Sequence, residues 1–185
     1  NILGSLDRRI IFLIVGLSVL IPLLKPEWVR LPIRPTPESQ IVFDEINKLN
    51  EGDKVLLSFE YGPSTKPEIQ PMSIALLQHM FAKKIQVYGF ALWPDGNFMS
   101  TDAFAEVSDD KYKYGIDYVN LGYKPGAEAV VKGIASDIRT LYTVDLRRTS
   151  IDDIPMMKDV VNIEDFDFVF SLSAGYPGSK EWVQY

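Results

Sequence analysis

Cysteine is absent from the 185 residues. Disulfides, thiolate metal sites and cysteine nucleophiles are thereby excluded, and no redox compartment is implied. Histidine occurs once, as His79 in the run Leu76-Leu-Gln-His-Met-Phe81. A lone histidine without partner spacing supports neither a histidine-rich metal site nor a serine–histidine relay. The first predicted strand is followed by neither GxGxxG nor GxxxxGK[ST], and no GxSxG nucleophile elbow occurs anywhere, so dinucleotide, P-loop and serine-hydrolase readings have no support. Positive charge is scarce beyond the N-terminal part. Residues 36–185 carry 14 Lys/Arg against 23 Asp/Glu, a net of −9, and the first 35 carry five against two, a net of +3, giving −6 for the chain. A domain of that sign repels phosphate backbones, so no nucleic-acid partner is expected.

What the sequence does contain is one long apolar run. Ile10–Leu24 holds fifteen consecutive uncharged residues between Arg8-Arg9 and Lys25. Fifteen helical residues cover roughly 22 Å of a hydrocarbon layer about 30 Å thick, short for a span unless flanking side chains extend it. Arg9 and Lys25 are placed to do so by running their stems along the apolar layer, Ile2, Leu3 and Leu6 add apolar length upstream, and Trp28 suits the interface. No small-x-small cleavage site follows, which argues for an uncleaved transmembrane anchor over 1–24 rather than a signal peptide. The flanking charges are nearly balanced and tip only slightly towards an inside N-terminus and an extracytoplasmic domain. A stalk over 25–36, with Pro26, Pro32 and Pro35, separates the anchor from a domain over 37–185. The unfinished helical pattern Lys180–Tyr185 suggests a chain that continues.

Within 37–185 apolar runs alternate with helical periodicity. Strands are expected at Val55–Phe59, Ile85–Leu92, Asp117–Leu121 and Phe166–Leu172. Helices are expected from Thr36-Pro37-Glu38 through Leu49, over Pro67–Lys83, over Ser100–Tyr112 from a Ser-Thr-Asp cap, over Ala127–Tyr142, and from Ser179 onward. Strands apolar on both faces, separated by helices, predict an α/β fold: a doubly wound, Rossmann-like, mostly parallel sheet behind an N-terminal transmembrane helix. Residues 143–164 form an unusually long connection, of the kind that binds something or meets a partner.

Ligands of open parallel sheets bind at the carboxyl ends of the strands. The four expected ends lead into Gly/Pro-rich loops, each with an aromatic residue, which marks Tyr61, Ser64, Thr65, Trp93, Asp95, Tyr123, Lys124, Tyr176 and Ser179 as ligand-binding or interface candidates. Turn chemistry alone explains the glycines and prolines. The aromatics suit a shallow pocket for an acidic ligand or a protein interface. Ile154, Met156 and Met157 in the long connection are interface candidates. Glu60 and Asp95 end adjacent strand–loop units, although nothing in their spacing brings them together. The acidic groups 109–110, 152–153 and 164–167 match no EF-hand spacing and read as solvated charge. No catalytic set, metal site or cofactor is expected.

The stretches YGPSTKPEIQPM, ALWPDG, DYVNLGYKPGAEAV, DIPMMKDV and SLSAGYPGSKEWVQY, behind an Arg-flanked anchor, resemble a family of prokaryotic membrane-anchored α/β proteins with no established activity. The resemblance implies a prokaryotic source, membrane attachment and continuation beyond Tyr185, and it transfers no site residue. The function expected from the sequence is a non-catalytic structural or oligomerising component of a membrane protein assembly, held in the bilayer through Ile10–Leu24 and docking on its own copies or other membrane subunits. The alternative is a membrane-tethered binding or sensory domain for a small anionic molecule. An enzyme would need a pair of carboxyl groups in a cavity, one with a raised pKa.

Overall fold

The computed structural model describes residues 7–29 and 34–185, which fall into two compact units divided between Ile41 and Val42. In the first unit, α1 (Arg8–Leu24) starts at Asp7, whose carboxylate accepts the Arg9 N–H at 3.0 Å. Its 17 residues cover roughly 25 Å, less than the thickness of a hydrocarbon layer. No helix among the described residues is long and apolar enough to cross a membrane. The upstream residues Ile2, Leu3 and Leu6 lie outside the described residues, as does part of the stalk. Pro26–Val29 forms a 3-10 turn rather than an extended segment. α2 (Pro37–Lys48) begins at the expected cap, where the Thr36 hydroxyl accepts the Ser39 N–H.

The second unit is an α/β fold around a four-stranded, wholly parallel sheet. Its strands are β1 (Lys54–Glu60), β2 (Gln86–Ala91), β3 (Tyr118–Tyr123) and β4 (Phe168–Ser173), in spatial order β3-β2-β1-β4. The helices between them are α3 (Lys66–Ala82), α4 (Gly96–Ser108), α5 (Glu128–Ser136), α6 (Ile138–Leu141) and, after β4, α7 (Ser179–Gln184). Side chains alternate along β1, so the sheet has two cores. Val55, Leu57, Phe59 and Tyr61 face one with Leu77, Met80 and Phe104, while Leu56 faces the other with Phe90, Val131 and Ile134.

The single helix expected over 127–142 is two. Asp137 adopts an extended backbone and its carboxylate caps the Arg139 and Thr140 N–H groups, restarting the helix at Ile138. α4 begins at Gly96, four residues before the expected Ser-Thr-Asp cap. The Ser100 and Thr101 hydroxyls instead donate back to the Asn97 carbonyl inside the helix. Gly96 sits where β1 and β2 meet α4, with an added Cβ falling 2.3 Å from the Phe59 carbonyl oxygen and 2.5 Å from the Ala91 Cβ.

The long connection covers the second core. Ile151, Ile154, Met156, Met157 and Val160 are all buried there, and the Tyr88 hydroxyl donates to the Met156 carbonyl at 2.7 Å. Arg139 donates to the Val160 and Met157 carbonyls and pairs with Asp152. Ile154, Met156 and Met157, expected at an interface, are thus core residues, because a sheet buried on both faces needs more cover than two short helices provide. His79 sits between helices, stacked on Phe43 at 4.6 Å and hydrogen-bonded to Asn47.

Candidate functional site at the switch point of the sheet

The chain lays β1, β2 and β3 side by side in one direction, then crosses back to place β4 on the other side of β1. In open parallel sheets, the carboxyl ends flanking such a reversal leave a crevice where ligands bind. Here those ends are Glu60 of β1 and Ser173 of β4, which pair in register.

Glu60 ends a strand whose other residues are mostly apolar, and it is fully buried. One carboxyl oxygen, Oε2, accepts the Ser171 hydroxyl at 2.8 Å, and Ser171 in turn accepts the hydroxyl of exposed Ser179 at 3.2 Å. The other oxygen, Oε1, is buried without a hydrogen-bond partner. Burial pushes the Glu60 pKa from 4.5 up to about 8; the Ser171 hydrogen bond opposes that rise, and the charge of Glu181 adds to it. Glu60 is therefore protonated at neutral pH. With Oε2 occupied as an acceptor, the proton belongs on Oε1.

Two further buried polar atoms lack partners in this part of the fold: the Ser58 hydroxyl, two residues earlier on the same face of β1, and the Trp182 indole nitrogen. The Trp182 N–H approaches the Glu60 carboxyl closely enough to oppose its raised pKa, without reaching hydrogen-bond geometry. Its ring packs edge-on against Phe90 at 5.3 Å. Glu181, also buried, is fixed by accepting the Gly178 N–H at 2.6 Å. Buried polar groups nearly always find partners, so Oε1, Ser58 and Trp182 together mark a place built for something other than packing.

The loop 174–178 joins β4 to α7 at this end of the sheet. Its start is tied by the Ala174 N–H donating to the Glu60 carbonyl, and its end by Trp93, whose indole N–H donates to the Pro177 carbonyl at 2.7 Å. Gly178 is packed so closely that an added Cβ would lie 1.9 Å from the Ser173 hydroxyl.

The residues singled out from the sequence are dispersed relative to these ends of β1 and β4. Trp93 and Ser179 border them. Tyr61 lies on the opposite face, fully buried, with its hydroxyl bonded to Gln70 and Ser73 and its pKa raised by burial to about 12. Ser64 is exposed, and the Thr65 hydroxyl bonds within the turn before α3. Asp95 is exposed, its carboxylate lying against Gly62, so the carboxyl neighbour of Glu60 is Glu181 and not Asp95. The Tyr123 N–H donates to Asn97, Lys124 sits over the Tyr142 ring, and Tyr176 is 70% exposed. The four loop aromatics do not converge on one pocket. Sequence reasoning missed Ser58, Ser171, Glu181 and Trp182. The available signal was a serine and a glutamate inside an otherwise apolar, doubly buried strand. No group of acidic or histidine side chains among the described residues is arranged to hold a metal ion.

Comparison of the chain with protein-family models, with curated proteins and with solved structures finds no match.

Proposed function

We propose that the protein is a membrane-attached binding module in which a small uncharged molecule, carrying carbonyl or hydroxyl oxygen, enters the crevice between β1 and β4. The observation that carries this reading is Glu60, a fully buried carboxyl with one oxygen unspent at the switch point of a parallel sheet. A buried, unsatisfied acid costs stability that no structural role here returns, and such costs concentrate at functional sites. The ligand class follows from the groups present. Protonated Glu60 and the Trp182 N–H both offer donors to an acceptor oxygen, while Glu181 disfavours an anion. The anionic ligand expected from the sequence does not suit this crevice.

Membrane attachment is supported by α1, whose apolar residues are exposed all round, with Phe12 at 71% and Leu23 at 75%. A helix apolar on every side is stable where lipid or other apolar helices surround it. Assembly through the long connection has lost its support, since that segment spends its apolar side chains on its own core. A second reading rests on the Ser179–Ser171–Glu60 hydroxyl chain. It links Oε2 of the carboxyl to solvent, a path by which a proton could reach that oxygen as the one on Oε1 is given up, as acid–base chemistry at Glu60 would require.

The test is a thermal-shift screen of the detergent-extracted chain against sugars, polyols, amides and hydroxyketones. At least one class should raise the melting temperature of the native protein by several degrees. The shift should vanish in Trp182→Phe, which keeps the ring and removes the donor. A panel without a stabilising compound, or a shift indifferent to Trp182→Phe, would overturn the crevice reading. Release of the chain from membranes by alkaline carbonate would overturn attachment.

A further inference from the structure

A concavity, away from the switch point, opens beyond the outer edge of the sheet between α4, β3 and the turn at Leu146-Arg147, with a volume of about 660 Å³. That is ample for a small organic ligand. Aromatic rings build its wall. Tyr118 stacks on Phe104 at 4.9 Å with planes 19° apart, and Tyr114 meets Tyr118 edge-on at 5.2 Å. Tyr114 is held in place because its hydroxyl donates at 2.6 Å to Asp145, a buried carboxylate whose second oxygen accepts the Thr149 N–H.

Arg147 lies against this wall, its guanidinium 3.5 Å from the centre of the Tyr114 ring. The contact fixes the side chain, yet among the described residues Arg147 has no carboxylate partner and none of its N–H groups donates to the protein. Arg139 shows the contrast, since its guanidinium is committed to three backbone carbonyls and Asp152. A planar cation preorganised by stacking, with its N–H fork unspent, is suited to bind a carboxylate or phosphate in two-point fashion. Asp102, also lining the cleft, is paired with Lys66 at 2.6 Å. An anionic group is therefore drawn to the Arg147 end and away from Asp102.

We infer that this cleft binds a small aromatic anion, with its ring against the Tyr114–Tyr118–Phe104 wall and its acidic group on the Arg147 guanidinium. The ring supplies apolar contact and stacking, and the charge fixes which way round the ligand lies. The cleft accommodates the anionic class that the switch-point crevice disfavours.

The experiment is equilibrium binding of 1-naphthoate to the full chain in a mild nonionic detergent, with cyclohexanecarboxylate and 1-naphthalenemethanol as comparison probes. Saturable 1:1 binding of 1-naphthoate is expected, at least ten-fold tighter than either comparison probe. Arg147→Gln should weaken it at least ten-fold, Arg147→Lys less, and Ala105→Trp, which fills the cleft, should abolish it. Arg147 and Ala105 are exposed, and circular dichroism melts establish that each variant keeps its fold. Three results each overturn the inference: no saturable binding of 1-naphthoate, equal binding of cyclohexanecarboxylate, or binding indifferent to Arg147→Gln. Trp182→Phe should leave this binding unchanged, which separates the cleft from the crevice.

Discussion

Replacing Glu60 with glutamine should make the protein more stable, and more so as the pH rises. The isosteric amide keeps an acceptor for the Ser171 hydroxyl and removes the titration. In the folded protein Glu60 releases its proton near pH 8, against 4.5 for an unhindered glutamate, chiefly because it is buried. Below about pH 4.5 both folded and unfolded chains hold the proton, and the group is neutral in each. Between there and pH 8 the unfolded chain ionises while the folded one does not, so stability falls by about 1.4 kcal/mol per pH unit. Over the whole interval the loss reaches about 5 kcal/mol, after which the curve flattens. For a domain of this size that corresponds to a melting-temperature difference of about 10–20 °C. The assay is thermal unfolding of native chain and Glu60→Gln in the same detergent at pH 5, 7 and 9. The variant's advantage should grow from under about 1 kcal/mol at pH 5 to its maximum at pH 9. His79 titrates with the opposite sign, because burial and the neighbouring Lys83 lower its pKa. It is identical in both proteins and drops out of the difference. A difference that stays constant from pH 5 to 9 would refute the reasoning, since it would mean that Glu60 titrates as an ordinary carboxyl.

Two further predictions concern the frame around the site. Met157→Ala, at a position with 0% exposure, should cost about 2–5 kcal/mol in denaturant unfolding. Met72→Ala, 53% exposed on α3, should stay within about 0.5 kcal/mol, and equal effects would return Met157 to an interface. Gly96→Ala should be at least as damaging as Met157→Ala, because its Cβ meets backbone and not the flexible end of a side chain. An alanine variant with the native melting temperature would mean that α4 is free to move away from the sheet.

The parallel sheet was legible because its strands are largely apolar on both faces, a pattern that local sequence displays directly. The four strands and their order of helices followed from it. Boundaries were less legible where a single side chain decides them: Asp137 interrupts an apolar stripe that runs on unbroken, so periodicity alone merges α5 and α6. The long connection was misjudged for a different reason. Its apolar residues were counted as surplus, whereas α5 and α6 are too short to cover the second face alone. The site was half visible. Loops at the strand ends were located correctly, but attention to their aromatics obscured the polar side chains inside the strands, Ser58, Glu60 and Ser171, whose proximity depends on β4 lying beside β1. Strand order of that kind is a nonlocal fact that no spacing along the chain encodes.

Trp93 meets the loop 174–178 through one hydrogen bond to Pro177 and by contact with Gly175. The chain has three tryptophans, and two of them belong to this end of the sheet, Trp93 against the loop and Trp182 near Glu60. Native fluorescence is consequently an optical reporter of the site's state, beside the emission of exposed Trp28. The loop is also held by the Ala174 N–H on the Glu60 carbonyl, by Ser173 Oγ against Gly175 and by the Gly178 N–H on Glu181, so losing the Trp93 bond, worth about 1 kcal/mol net, leaves it fastened.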